Sequence, residues 1–295
     1  MRVFVTGASG FVGSAIVQEL LQAGHKVLGM VRSESAAEAL VKAGAEAHFG
    51  NLDDLESIKK GAAQCDAVIH TAFNHDFSRY KENCENDRQI ILALGSVLAG
   101  SNRPLVITSG VGILRKEGQY TENDAHPSSD VSPRAATEEA GNVVAQQGVN
   151  TYIVRLPAST HDKGDHGFVP MVIGMAKEKG LSAYIGEGNN RWPAVHRLDA
   201  AVVYRLIIEK QPQQKVFHPV AEEGIPFKQI ATAIGNGLQL PTVSKEGSEA
   251  EAHFGWFYHF AGLDCSASST LTRKTLGWEP KHPTLLNDLT HGVYF

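Results

Sequence analysis

Three glycines recur at a spacing of three residues in Thr6-Gly7-Ala8-Ser9-Gly10-Phe11-Val12-Gly13, directly between a short β-branched run and a stretch of helical periodicity. At 7 a glycine permits a tight turn, at 10 it lets backbone approach a pyrophosphate, and at 13 it lets a helix pack closely on a strand. The helix N-terminus adds amides and a partial positive charge. Together these make the chemistry of a dinucleotide cradle, with Ser9, Phe11 and Val12 as its remaining members. A second group of residues could polarise a carbonyl or move a proton. Ser109 ends an apolar run just after Thr108, His75 and His161 follow two other such runs, and Tyr120 lies in a loop. A hydroxyl can donate to a developing oxyanion, and histidine titrates near neutrality. His161 and His166 bracket Asp162 and Asp165, but there is no HExxH and no cysteine ligand pair, so no metal site is expected.

Such residues need a scaffold, and the first half of the chain alternates between two periods. Strands are predicted at Arg2–Val5, Lys26–Val31, Ala45–Phe49, Ala67–His70, Leu105–Ser109 and Thr151–Arg155. Helices are predicted at Ser14–Ala23, Ala36–Ala43, Leu55–Ala63, Asn86–Leu98 and Ala135–Gln147. This alternation implies an α/β fold with a doubly wound parallel sheet, whose ligands bind beyond the carboxyl ends of the strands. After Pro157 the chain breaks into shorter pieces, with helices at Pro170–Lys179, Asp199–Lys210 and Ile225–Leu238. The expected division is a nucleotide-binding domain of residues 1–157 plus about 194–212, and a smaller substrate lobe of 158–193 and 213–295.

Composition sets the outer limits. The 295 residues carry a formal charge of −5 and are 42% hydrophobic and 20% charged, an ordinary globular balance. A mildly acidic chain is a poor nucleic-acid binder, because phosphate neutralisation needs excess Lys and Arg. No apolar run is long enough to span a bilayer, and Val3-Phe4-Val5 is too short for a signal peptide. Cys65, Cys84 and Cys265 fit reduced thiols in the cytoplasm.

The octapeptide also resembles the TGxxGxxG loop of the extended short-chain dehydrogenases/reductases, the group that includes nucleotide-sugar epimerases and dehydratases. The likeness continues through Gly50-Asn51-Leu52, His70-Thr71-Ala72, Thr108-Ser109-Gly110, Arg155-Leu156-Pro157 and Val195-His196-Arg197-Leu198-Asp199-Ala200-Ala201. It implies a Rossmann domain, a C-terminal substrate lobe and a nicotinamide cofactor in the cleft between them. By the same resemblance Asn51 and Leu52 flank the adenine, Thr71, Ala72 and Phe73 line the middle of the cofactor, and Pro157 is a further contact.

Two departures matter. The acidic residue that grips the adenosine ribose should close the second strand, but that position is Val31, followed by Arg32 and Ser33. A guanidinium beside a hydroxyl suits a 2′-phosphate, so NADP is expected rather than NAD, with Glu34 the alternative diol ligand. The family moves protons with Tyr-x-x-x-Lys on one helical face, and this motif occurs nowhere in the chain. The best register puts Asp130 at the tyrosine position and Arg134 at the lysine position. Arg134 can still hold a ribose, but its pKa above about 12 forbids proton shuttling. Asp130 precedes Ser132-Pro133 and reads as a capping residue.

The departure resembles an atypical branch that keeps the glycine loop without the usual active site. Segments 73–77, 161–170 and 190–197 fit that branch. The expected protein is an NADP-dependent oxidoreductase for a small carbonyl or alcohol substrate, monomeric or homodimeric, in which Ser109 polarises the carbonyl. His75, His161, Tyr120 or water would carry the proton. One rival is a nucleotide-sugar epimerase or dehydratase, which needs basic contacts from Arg191, Arg197 or Arg273. The other is a non-catalytic NADP-binding redox sensor. The dense aromatic run from His253 to Phe260 reads as core or interface of the second lobe, or else as a wall of an apolar pocket.

Overall fold

The computed structural model describes residues 1–114 and 116–295. Short apolar runs form β1 (Arg2–Thr6), β2 (Lys26–Val31), β3 (Glu46–Phe49), β4 (Ala67–His70), β5 (Pro104–Gly110) and β6 (Asn150–Leu156). Between them lie α1 (Phe11–Gln22), α2 (Glu34–Lys42), α3 (Leu55–Ala63), α4 (Tyr80–Leu98) and α5 (Ala136–Gln146). α4 starts six residues before its predicted Asn86 because its first turn is polar and the apolar stripe begins only at Cys84. The rest comprises β7 (Ser159–His161), α6 (Phe168–Lys179), β8 (Ser182–Ile185), β9 (Arg191–His196), α7 (Arg197–Lys210), β10 (Val216–Phe217) and β11 (Glu222–Pro226). It ends with α8 (Phe227–Leu238), β12 (Thr242–Lys245), α9 (Gly247–Phe254), α10 (Tyr258–Ala261), α11 (Thr270–Leu276) and α12 (Leu285–Thr290).

Seven strands form a parallel sheet in the order β10-β6-β5-β4-β1-β2-β3. The chain winds outward from β1 to β3 and then returns to β4 on the other side of β1. The order therefore reverses between β1 and β4, where Thr6 stands beside His70, and a reversal of this kind opens a crevice at the strand ends. The fold is the expected doubly wound α/β arrangement. One sheet face is covered by α1 and α7, with Ile16, Leu20, Val203 and Tyr204 at 0% exposure. α3, α4 and α5 cover the other with Ile58, Ile90, Leu94 and Val144. Burying each such side chain is worth about 1.5–3 kcal/mol.

A third cluster centres on Trp192, Phe227, Phe254 and Phe257 and forms the core of the second lobe. This lobe holds β11-β9-β7 and the pair β12-β8. Two pieces of segment 213–295 lie with the central sheet. β10 adds to β6 through Val216↔Ile153, and Leu276 and Trp278 join the core beneath α1 and α7. Among the described residues no helix is long and apolar enough to cross a membrane.

Candidate nucleotide and carbonyl site

The glycine loop occupies the reversal between β1 and β4. Gly7 has φ +71°, and a Cβ there would stand 2.9 Å from the Ala72 amide nitrogen. A Cβ on Gly13 would lie 2.0 Å from the Gly7 carbonyl oxygen, so α1 packs on the turn only because residue 13 has no side chain. Gly10 donates its amide to the Gly7 carbonyl at 2.8 Å, and Ser9 and Gly10 are exposed. No side chain caps α1 and its first turn holds no acid, so its leading amides keep their partial positive charge for an anion. Phe11 is flanked by groups from later in the chain. The Arg197 guanidinium lies 4.9 Å from its ring centroid, and His166 meets it edge-on at 5.8 Å.

At the end of β2, Val31 is 2% exposed, while Arg32 is exposed. Ser33 caps α2, its oxygen accepting the Ala36 amide at 3.3 Å, so the hydroxyl expected to join Arg32 is also engaged locally. Asn51 accepts the amides of Asp53 and Asp54 at 2.8 and 3.1 Å. Leu52 and Phe73 line a shallow dent with Asn74, Asn83 and Asp87. Thr71 donates to the Thr6 carbonyl at 2.8 Å, and the Ala72 amide donates to Thr6 Oγ1 at 3.4 Å. Pro157 is buried directly after β6.

Beyond β4 and β5 lies a polar network that the sequence did not announce. Asp87 on α4 accepts His70 Nε2 at 2.9 Å and Arg134 Nη1 at 2.6 Å, and it also accepts the Thr137 hydroxyl. His70 Nδ1 lies 2.6 Å from Thr6 Oγ1. Arg134 Nη2 donates to the Thr108 carbonyl at 2.9 Å, and its guanidinium covers the Phe73 ring at 4.0 Å. Thr108 Oγ1 donates to the His70 carbonyl at 2.9 Å and lies 2.9 Å from the Tyr204 hydroxyl. Burial opposes ionisation of Asp87, but Arg134, His70 and Thr137 outweigh it and hold the carboxyl far below the usual carboxylate range. Burial likewise opposes the charge on Arg134, and Asp87 more than restores it. One signal was legible: Asp87 lies on the same stripe of α4 as Cys84, Ile90, Ile91 and Leu94, where an acid needs a partner.

The four proton-chemistry candidates are separated. Ser109 is 4% exposed, and its Oγ is buried with no hydrogen-bond partner among the described residues. His75 lies on the exposed segment after β4, 5.3 Å from the Phe73 ring. Its pKa is lowered by crowding against its neighbours, then by the charges of Arg134 and His166. His161 has 0% exposure, with Nδ1 2.7 Å from Asp288 Oδ2 on α12. Tyr120 is 3% exposed in the second-lobe core, and its backbone bridges Ser266 and Ser268. Asp130 is exposed in a turn and accepts from the Ser128 hydroxyl at 3.3 Å. The structure thus brings Ser109, Arg134, Phe73 and His75 to the strand ends and binds His161 and Tyr120 into the second lobe. Among the described residues no three His, Cys, Asp or Glu side chains are grouped to hold a metal ion.

Comparison with known proteins gives the family and the fold. The model of the NAD dependent epimerase/dehydratase family matches residues 3–218. An uncharacterized protein of Schizosaccharomyces pombe is 51% identical over 296 residues, covering 100% of both chains. A relative from Stigmatella aurantiaca, 4-hydroxy-2-methyl-3-oxo-4-farnesyl-3,4-dihydroquinoline-1-oxide ketoreductase, is 26% identical over 270 residues, 86% of this chain and 80% of that one. In fold, the chain is similar to a dTDP-glucose 4,6-dehydratase from Streptomyces venezuelae solved with NAD bound. The TM-score is 0.78 at 17% identity, over 99% of this chain and 96% of that one.

Proposed function

This chain belongs to the NAD dependent epimerase/dehydratase family, and from that premise we propose that it is an NADP-dependent oxidoreductase acting on a small carbonyl or alcohol substrate. The observation that carries the reading is Ser109. A buried hydroxyl without a partner is costly unless a ligand completes it, and this one stands at the carboxyl end of β5, beside the crevice at the reversal. The residues present fit a dinucleotide. Gly7 and Gly13 leave no room for side chains, the first turn of α1 offers its amides, and exposed Arg32 offers a fork to a 2′-phosphate. The Stigmatella relative, named a ketoreductase, supports carbonyl chemistry.

When bound, the nicotinamide supplies a hydride to the carbonyl carbon. Ser109 donates a hydrogen bond to the carbonyl oxygen and stabilises its growing negative charge. Arg134 spends Nη1 on Asp87 and Thr137 and one Nη2 hydrogen on Thr108. Its Nε–H and second Nη2 hydrogen remain for ribose hydroxyls, in place of the family's lysine. The proton that completes the alcohol comes from solvent through His75. Its lowered pKa makes it a base for alcohol oxidation and a relay, rather than a standing acid, near neutrality. His161 and Tyr120 are engaged elsewhere and take no part.

The test is NADPH consumption with a panel of aldehydes and ketones. Ser109→Ala should lower kcat about 10²–10³-fold, while Asp130→Asn should change it less than about tenfold, against the roughly 10²–10⁴-fold cost of losing a general acid. Tight NADPH binding with no carbonyl consumed would favour the sensor reading.

A further inference from the structure

A nucleotide-sugar substrate needs cations for its pyrophosphate, and the three arginines expected in that role each hold protein partners. Arg191 grips Asp264 through Nε and Nη2, both at 3.1 Å. Arg197 donates Nε to Asp162 at 2.7 Å and Nη1 to the Phe11 carbonyl at 3.3 Å. Arg273 donates Nε to Ser269 Oγ at 2.9 Å and Nη2 to the carbonyls of Val220 and Ala221, both at 3.3 Å.

Aromatic rings fill this side of the crevice instead. From Phe73, covered by Arg134, a run of contacts leads to His75 at 5.3 Å and on to Phe77 at 6.3 Å. Phe77 belongs to the segment between β4 and α4, yet it meets three second-lobe rings: Trp256 at 5.2 Å with planes 29° apart, Phe260 at 6.2 Å and Phe168 at 6.4 Å. Ring surface therefore runs unbroken from the ends of the central strands to the second lobe. Trp256 is 54% exposed, whereas Trp192 and Trp278 are 1% exposed. An exposed tryptophan continuous with an aromatic seam beside a crevice marks a binding surface.

We propose that this seam binds the substrate, an uncharged apolar carbonyl compound bearing an aromatic ring or a similarly flat hydrocarbon, and that Phe77 and Trp256 select it against phosphorylated sugars. The carbonyl rests on the reductase reading; the apolar, uncharged character rests on the rings and the occupied arginines. A phosphate brought to the Phe77–Trp256 end of this wall would lose water and would have to displace the present partners of Arg191, Arg197 or Arg273.

The experiment measures binding by calorimetry, with 2-acetylnaphthalene and UDP-glucose as probes and the full chain loaded with NADP⁺. The ketone should bind and UDP-glucose should not displace it. Trp256→Ala and Phe77→Ala should each weaken the ketone about ten- to a hundredfold, Trp256→Phe should restore most of the affinity, and NADP⁺ affinity should be unchanged in all three. Ketone affinity insensitive to both alanine substitutions, or UDP-glucose binding more tightly than the ketone, overturns the proposal. Retained ketone binding without NADPH turnover would instead overturn the reductase reading and leave the apolar site standing.

Discussion

Asp87→Asn gives the sharpest test of the strand-end network. The wild-type carboxylate is 2% exposed and compensates Arg134, whose side chain is 14% exposed, while also accepting from His70 and Thr137. The amide keeps the shape but removes the negative charge, leaving a buried guanidinium uncompensated. Breaking a buried pair by neutralising one member costs about 3–5 kcal/mol, a large share of the roughly 5–15 kcal/mol that holds a domain together. The sign of the pH dependence follows from the depressed carboxyl of Asp87. Its folded pKa lies below the unfolded value of about 3.9. Its contribution is therefore fully present above that unfolded value and fades as the pH falls from there through the folded pKa. Urea unfolding at pH 7 should show the loss, and below about pH 4 the gap between variant and wild type should shrink. Adding Arg134→Met should recover part of the loss, because the orphan charge is then gone. A single variant within about 1 kcal/mol of wild type at pH 7, or a double variant at least as unstable as the sum of the two singles, would refute the reasoning.

Two further outcomes follow from the cradle. NADPH should bind more tightly than NADH, and Arg32→Ala should weaken NADPH alone by about ten- to a hundredfold, the worth of a charge-assisted contact; equal fluorescence titrations of the two nucleotides would remove that role. Gly10→Val should abolish nucleotide binding while the thermal midpoint stays near wild type, because residue 10 faces outward, with only the Gly7 carbonyl within reach of an added Cβ; retained binding would make the loop purely structural.

The glycine loop was legible because backbone geometry dictates its residues. A positive φ at 7 and a 2.0 Å clash at 13 admit little but glycine, and the flanking periodicities identify the strand and the helix. The place of Ser109 near the end of β5 was legible from the apolar run it closes. The network around Asp87 was not. Its partners His70 and Arg134 are 17 and 47 residues away, and only the order of the sheet brings them together. The same distance hid the partners of two proton-carrier candidates. His161 stands in a loop-like glycine-rich context in the sequence, yet it forms part of β7 and pairs with Asp288, 127 residues on. Tyr120 looks like a loop residue, yet residues 266–268 fix its backbone. The returns of β10 and Trp278 to the central sheet were hidden because a two-residue strand and a lone tryptophan carry no periodicity.

The central claim is hydride transfer to a carbonyl at the end of β5. It is tested most directly by incubating the protein with 2-acetylnaphthalene and NADPH carrying deuterium at both C4 positions, then weighing the alcohol by mass spectrometry. The account predicts one deuterium on the carbinol carbon, with the yield collapsing in Ser109→Ala. Saturating NADPH with no deuterated alcohol from this or any other ketone of the panel would contradict it.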